Sequence, residues 1–260
     1  MIVESKRCWG ALLLALTLLQ GCSSQAGRLI GARPAELPLP EGIQVAFNHR
    51  ADNHYTSPIH AEPRNGDNLE ALLVRGIESA EQEILVAVQE LSLPAVAEAL
   101  VRQHRRGVSV KVVLENTYST PWSQEHPADL VPHQRTRHEQ LKALGWGDAV
   151  AILQRAGVPL IDDTADGSAG SGLMHHKFMV VDRAVVVTGS ANFTPSCIHG
   201  DPGAGRSRGN VNHLLRLRSR ELAGSFAAEF ERMWGDGPGG QADSRFGLGK
   251  GGGPAQQLMV

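Results

Sequence analysis

The sequence predicts an α/β domain built on a mixed sheet flanked by helices, and three patterns support this. A helix, strand, helix, strand succession opens the domain, two β-rich segments form a hairpin in its second half, and an amphipathic helix closes it. At the opening, Asp67 followed by Glu70 has capping-box spacing, and Leu69, Leu72, Leu73, Ile77 and Ala80 recur at helical intervals. Residues 84–88 are a short apolar run suited to a buried strand. Pro94 starts a second helix carrying Val96, Ala97, Leu100 and Val101, and Gly107 ends it. Residues 108–114 are rich in β-branched side chains and predict a strand parallel to the first, reached by a right-handed crossover.

A polar, histidine-bearing stretch covers residues 118–138. Apolar spacing then predicts short helices at 140–144 and 149–156, the second capped by Gly157, with a strand at 158–161. Residues 162–172 have loop composition. The hairpin is expected from strands 173–182 and 184–188 turning at Asp182-Arg183, followed by a strand at 211–217. Leu222, Phe226, Phe230 and Trp234 mark the apolar face of the closing helix.

Of the 260 residues, 42% are hydrophobic and 20% charged, which fits one globular domain or at most two small ones. A net charge of -2 argues against a surface that holds nucleic acid by phosphate neutralisation alone. Residues 1–21 read as an export signal, with Lys6 and Arg7 ahead of an apolar run at 11–19. That run is shorter than the roughly 20 residues that span a bilayer. Leu19-Gln20-Gly21-Cys22 resembles the lipobox of bacterial lipoproteins, which implies acylation of Cys22 and anchoring in the bacterial cell envelope; the alternative is a plain secretory signal with an incidental cysteine. Residues 22–40 then form a tether, 41–236 the domain, and 237–260 a glycine-rich tail expected to be disordered. Cys8 lies in the leader and Cys22 at the anchor, so Cys197 is the one free thiol of the domain. Neither a disulfide framework nor zinc spacing is present.

The chemistry concentrates in Met174-His175-His176-Lys177, Asp182 and Gly189-Ser190-Ala191-Asn192. If 173–182 is a strand, residues two apart share a face, so His175 and Lys177 lie together and His176 points away. An imidazole beside an ammonium combines a nucleophile with charge stabilisation, and the cation favours the neutral ring. Gly189 is expected to leave room for close backbone approach to a phosphate. Asp162, Asp163 and Asp166 lack the closing glutamate of a calcium loop. The glycine-rich stretch 167–172 lacks the ending of a phosphate-binding loop and reads as a flexible loop at the mouth of the site.

These residues match HxKxxxxDxxxxxxGSxN, the signature of the phospholipase D superfamily, at every defined position. The resemblance extends from about Phe47 to Trp234. It implies a phospholipase D-like α-β-α sandwich and a phosphodiesterase that needs no metal and no cofactor. By resemblance His175 forms a phosphohistidine, Lys177 grips phosphate with Ser190 and Asn192, and Asp182 helps organise the site. Small single-motif nucleases of the family often carry a glutamate on the next strand to orient the histidine; here that strand begins Gly209-Asn210-Val211-Asn212. Family chemistry also uses two histidines, so a second must come from a homodimer or from a second lobe of a longer protein. The expected substrate is phospholipid at a membrane, with a secreted endonuclease or a non-catalytic half as alternatives.

Overall fold

The run Glu83–Val88 is apolar on both faces because it is an interior strand of a seven-stranded sheet that is covered on each side. The computed structural model describes residues 38–164, 173–201 and 209–239. The expected leader, Cys22, most of the tether, the stretch 165–172 and the tail from 240 lie outside the described residues. The compact unit that holds the described elements begins at Glu41. Its strands are β1 (Ile43–Phe47), β2 (His54–Thr56), β3 (Pro63–Asn65), β4 (Glu83–Val88), β5 (Ser109–Leu114), β6 (Leu160–Asp162), β7 (Lys177–Val181), β8 (Val185–Gly189) and β9 (His213–Arg218). Its helices are α1 (Leu69–Glu78), α2 (Pro94–Arg105), α3 (Pro132–Leu144), α4 (Ala149–Arg155), α5 (Pro195–Ile198) and α6 (Arg220–Trp234).

The large sheet runs β1-β9-β8-β7-β4-β5-β6, and β2 pairs with β3 in a separate hairpin. β4, β5 and β6 are parallel, whereas the pairings from β4 through β7, β8 and β9 to β1 are antiparallel. The expected mixed sheet is therefore present. Alternation along the strands splits the interior into two cores. Ile84, Val86, Val112, Met179 and Val187 pack beneath α1, α2 and α4. Leu85, Ala87, Val113, Phe178 and Val180 pack against Ala223, Ala227, Phe230 and Met233 of α6.

Several boundaries differ from the sequence reading. Asn68, not Asp67, caps α1: its side chain accepts from the Ala71 N–H at 2.9 Å. Asp67 instead accepts from Phe47 N at 2.8 Å and Asn53 Nδ2 at 2.6 Å, tying β1 to the entrance of the helix. α3 is 13 residues long rather than a short helix at 140–144, because it buries only His138 and Leu141 and so shows little apolar periodicity. β7 begins at Lys177 rather than 173, since its partner β4 ends at Val88, opposite Lys177. β9 begins at His213 rather than 211, because Asn210 is drawn aside by a hydrogen bond from its N–H to Ser196 O. β1 and the β2–β3 hairpin were not foreseen; β1 buries only Ala46, and the other two strands are three residues each.

The turn between β7 and β8 is formed by Asp182 and Arg183 at φ 50° and 49°, the left-handed pair that matches the twist of a tight hairpin. Gly189 ends β8, and a Cβ there would lie 2.1 Å from the carbonyl oxygen of His213. Its lack of a side chain serves the approach of β9 rather than that of a phosphate. Gly189→Ala should lower stability by about 2–4 kcal/mol through this overlap, read as the midpoint of urea unfolding. An unchanged midpoint would show that β9 moves aside without cost.

Candidate active site

The antiparallel pairing of β7 with β4 brings the start of one strand to the end of the other. Lys177 stands opposite Val88, and the backbone N–H of Gln89 donates to His176 O at 3.0 Å. Residues 173–176 therefore leave the sheet edge beside residue 89. Met174 and Phe178 are buried on the α6 side, so His175 and Lys177 share the opposite face. His175 is exposed and Lys177 half-buried. His176 turns toward α6, where Nε2 lies 3.4 Å from Glu229 Oε1 and the ring meets Phe178 edge-on.

Lys177 Nζ donates to His175 O at 3.0 Å and to Gln89 Oε1 at 3.4 Å. Asn192 Nδ2 donates to the same Gln89 oxygen at 3.2 Å. Two donors thus converge on one oxygen, and one of them, Lys177 Nζ, also bonds the His175 carbonyl. Gln89 was missed by the sequence reading, although a polar residue directly after an apolar strand, at its carboxyl end, is where sheets of this class place ligands. The His175 imidazole, although exposed, is held below its usual range, first by partial desolvation and then by the charge of Lys177 and by His176. Burial likewise lowers the Lys177 ammonium, partly offset by Cys197. The downward shift of His175 favours the neutral ring near neutral pH.

Ser190 is the neighbouring residue at the end of β8, but its hydroxyl is turned to β9. Its Oγ donates to Asn212 Oδ1 at 2.8 Å and lies 3.3 Å from His213 Nδ1. Asn212 is buried and spends its other groups on Asn48 Oδ1 and Cys197 O, at 2.7 and 2.9 Å. In place of an orienting glutamate for His175, this asparagine fixes Ser190. Behind it, buried His199 contacts Glu70 Oε2 at 2.9 Å and the Tyr55 hydroxyl at 3.0 Å. Burial pushes the Tyr55 phenol up to about 12. Asp163, buried at the end of β6, accepts from Asn116 N at 2.8 Å and also from the N–H of Met174, immediately before His175. Nothing in the local sequence announced these supporting residues.

Asp182 is not brought to this cluster, which corrects its place in the expected catalytic set. It lies five positions beyond Lys177 along extended chain, about 16 Å. Its carboxylate accepts from the N–H groups of Glu81, Gln82 and Glu83 at 2.9, 2.8 and 2.9 Å. It locks the start of β4 to the end of β7, and reaches the site only through the register of those strands. Among the described residues, no three His, Cys, Asp or Glu side chains group as metal ligands.

The profile of the family described as cardiolipin synthase, PLD-like domain, matches residues 73–234. The chain belongs to the phospholipase D superfamily. Among curated relatives, the mitochondrial cardiolipin hydrolase of Homo sapiens is 27% identical over 213 residues, covering 82% of this chain and 62% of that protein. The phospholipase D of Rickettsia prowazekii (strain Madrid E) is 25% identical over 154 residues, 59% of this chain and 57% of the relative. The chain thus spans about three-fifths of the length of these relatives. A crystal structure of a phospholipase D family member, Nuc from Salmonella typhimurium, aligns at a TM-score of 0.47 and 21% identity over 75% of this chain and 95% of that one.

Two outcomes follow from the geometry. In an NMR titration His175 should protonate below 6.5, and Lys177→Met should move that midpoint upward by removing a neighbouring positive charge; a downward or absent shift contradicts the electrostatic pairing. Asp182→Ala strips three N–H groups of a charged acceptor and should cost about 2–3 kcal/mol in thermal unfolding while leaving the His175 titration in place.

Proposed function

We propose that this chain is a phospholipase D type phosphodiester hydrolase acting on phospholipid through a phosphohistidine at His175. The observation that supports it best is the convergence of Lys177 Nζ and Asn192 Nδ2 on one oxygen position, with the same lysine's charge favouring the neutral form of His175. A phosphoryl oxygen replacing the Gln89 amide oxygen would meet both donors. His175 nitrogen then attacks phosphorus, a P–N bond forms, and the P–O bond to the leaving alcohol breaks. Water subsequently cleaves the P–N bond. Lys177 offsets the charge that builds on the equatorial oxygens, so the scheme routes no step through a metal.

The leaving alcohol needs a proton donor, and the natural one is a second histidine. One copy of the motif occurs in this chain. An isologous dimer would place two His175 side chains across one axis, and a second lobe would do the same within one polypeptide. Phospholipid is favoured over nucleic acid by the names of the relatives, cardiolipin hydrolase and phospholipase D, and by the net charge of -2. Acylation of Cys22 would place the domain at a membrane of the cell envelope.

The test is hydrolysis of cardiolipin vesicles, single-stranded DNA and bis(p-nitrophenyl) phosphate, each with and without EDTA. His175→Ala should abolish turnover, and Lys177→Ala should reduce it by about 10²–10³-fold. EDTA should change nothing. Because attack needs the neutral ring, kcat/KM should fall as the medium is acidified through a midpoint below 6.5. Under the dimer scheme, activity per chain also falls on dilution. Chelator-resistant activity that survives His175→Ala would overturn the mechanism, and turnover of DNA without lipid turnover would overturn the substrate.

A further inference from the structure

We infer that Gln89 is a displaceable stand-in for a phosphoryl oxygen: its side chain holds the place that phosphate takes, leaves when phosphate binds, and favours release of the phosphorylated product by returning. The inference deepens the hydrolase reading above and rests on it. Gln89 directly follows β4, and its backbone is fixed on both sides. Its N–H donates to His176 O at 3.0 Å, and its carbonyl accepts from the Glu115 N–H at 3.3 Å. The residue therefore stays in place when its side chain swings.

That side chain is half-buried and held through its oxygen alone. Oε1 accepts from Lys177 Nζ at 3.4 Å and from Asn192 Nδ2 at 3.2 Å, and among the described residues the amide nitrogen has no partner. Both distances are at the long end for a hydrogen bond, so the tether is weak. The two donors differ in what remains to them once it breaks. Lys177 Nζ keeps its bond to His175 O at 3.0 Å. Asn192 keeps nothing: its Oδ1 is buried without a partner, and its Nδ2 bonds Gln89 only. An incoming ligand must therefore bring an acceptor for Asn192, and a phosphoryl oxygen does so.

The exchange has a definite sign. An amide oxygen is a neutral acceptor, whereas a phosphate oxygen carries formal charge, and charge-assisted bonds are roughly twice as strong. Anionic phosphate can thus displace the amide, against the cost of two neutral hydrogen bonds. This cost weakens every phosphate ligand at the site. A substrate offsets it through contacts made by the rest of the molecule, and inorganic phosphate has no such contacts. Gln89 is a positioning residue in this scheme, because it acts through Lys177 and Asn192.

The experiment titrates inorganic phosphate into the full chain by isothermal titration calorimetry. Gln89→Ala, and Gln89→Asn with an amide one methylene shorter, should each bind phosphate about tenfold more tightly than wild type, because two competing neutral bonds are gone. Gln89→Glu, nearly the same shape, should bind it at least about tenfold more weakly, since a carboxylate pairs with Lys177. Lys177→Met should abolish binding, which places the phosphate at this site. Affinity in Gln89→Ala and Gln89→Asn no higher than in wild type, absence of binding included, would overturn the proposal, because Gln89 would then align the donors or bind phosphate itself. Binding that survives Lys177→Met would overturn it as well. In turnover of bis(p-nitrophenyl) phosphate, the two shortened variants should lower KM without raising kcat, and an unchanged KM counts against the stand-in. The hydrolase reading fails separately, through a wild type that cleaves no phosphodiester or a His175→Ala variant that cleaves as well as wild type. In either case the calorimetric order of the Gln89 variants still decides the role of this side chain.

Discussion

The register between β4 and β7 is the constraint on which the rest of the site depends. Five residue pairs, from Ile84 with Val181 to Val88 with Lys177, align the two strands. Because side chains alternate along a strand, a slip of one residue would bury Lys177 toward α6 and drive Phe178 into the other core. The apolar pattern forbids that slip: Phe178 and Val180 fit the layer beneath α6, and Met179 and Val181 fit the layer beneath α1. The geometry of the His175–Lys177 cluster is thereby set by hydrophobic packing on both faces. At the far end, the Asp182 carboxylate pins the same register by gripping the three N–H groups that lead into β4.

One sequence signature therefore serves two ends of a strand. His175, Lys177 and Asn192 meet at the end where β4 stops, and Asp182 works at the end where β4 begins. The signature reads as a single chemical unit along the chain, yet its aspartate does structural work about 16 Å from its lysine. Ser190 is intermediate in character. It stands beside the site, but its hydroxyl bonds Asn212, which is itself held by Asn48 and Cys197 O.

A polar layer lies beneath this end of the sheet, and its groups are tied to one another rather than to solvent. His199, Glu70, Tyr55, Asn48 and Asn212 form contacts across more than 100 residues of sequence. Buried polar groups of this kind are costly unless satisfied, and once satisfied they define a single arrangement. Asp163 belongs to the same scheme from the β6 side, holding the backbone that presents His175.

Local patterning was enough for the α/β class, the apolar strands at the sheet centre and the α6 helix, and a contiguous motif singled out His175, Lys177 and Asn192 as candidates. It also placed His175 and Lys177 on one face, through the two-residue repeat of extended chain. Tertiary structure alone decided what surrounds them. Gln89 became the shared acceptor only when β4 paired with β7, Asn212 reached Ser190 only when β9 joined β8, and the weakly apolar α3 and β1 gained their form from neighbours distant in sequence. Asp182 left the catalytic set for the same reason: spacing along a chain does not reveal that an extended strand carries two residues of one motif to opposite ends of a sheet.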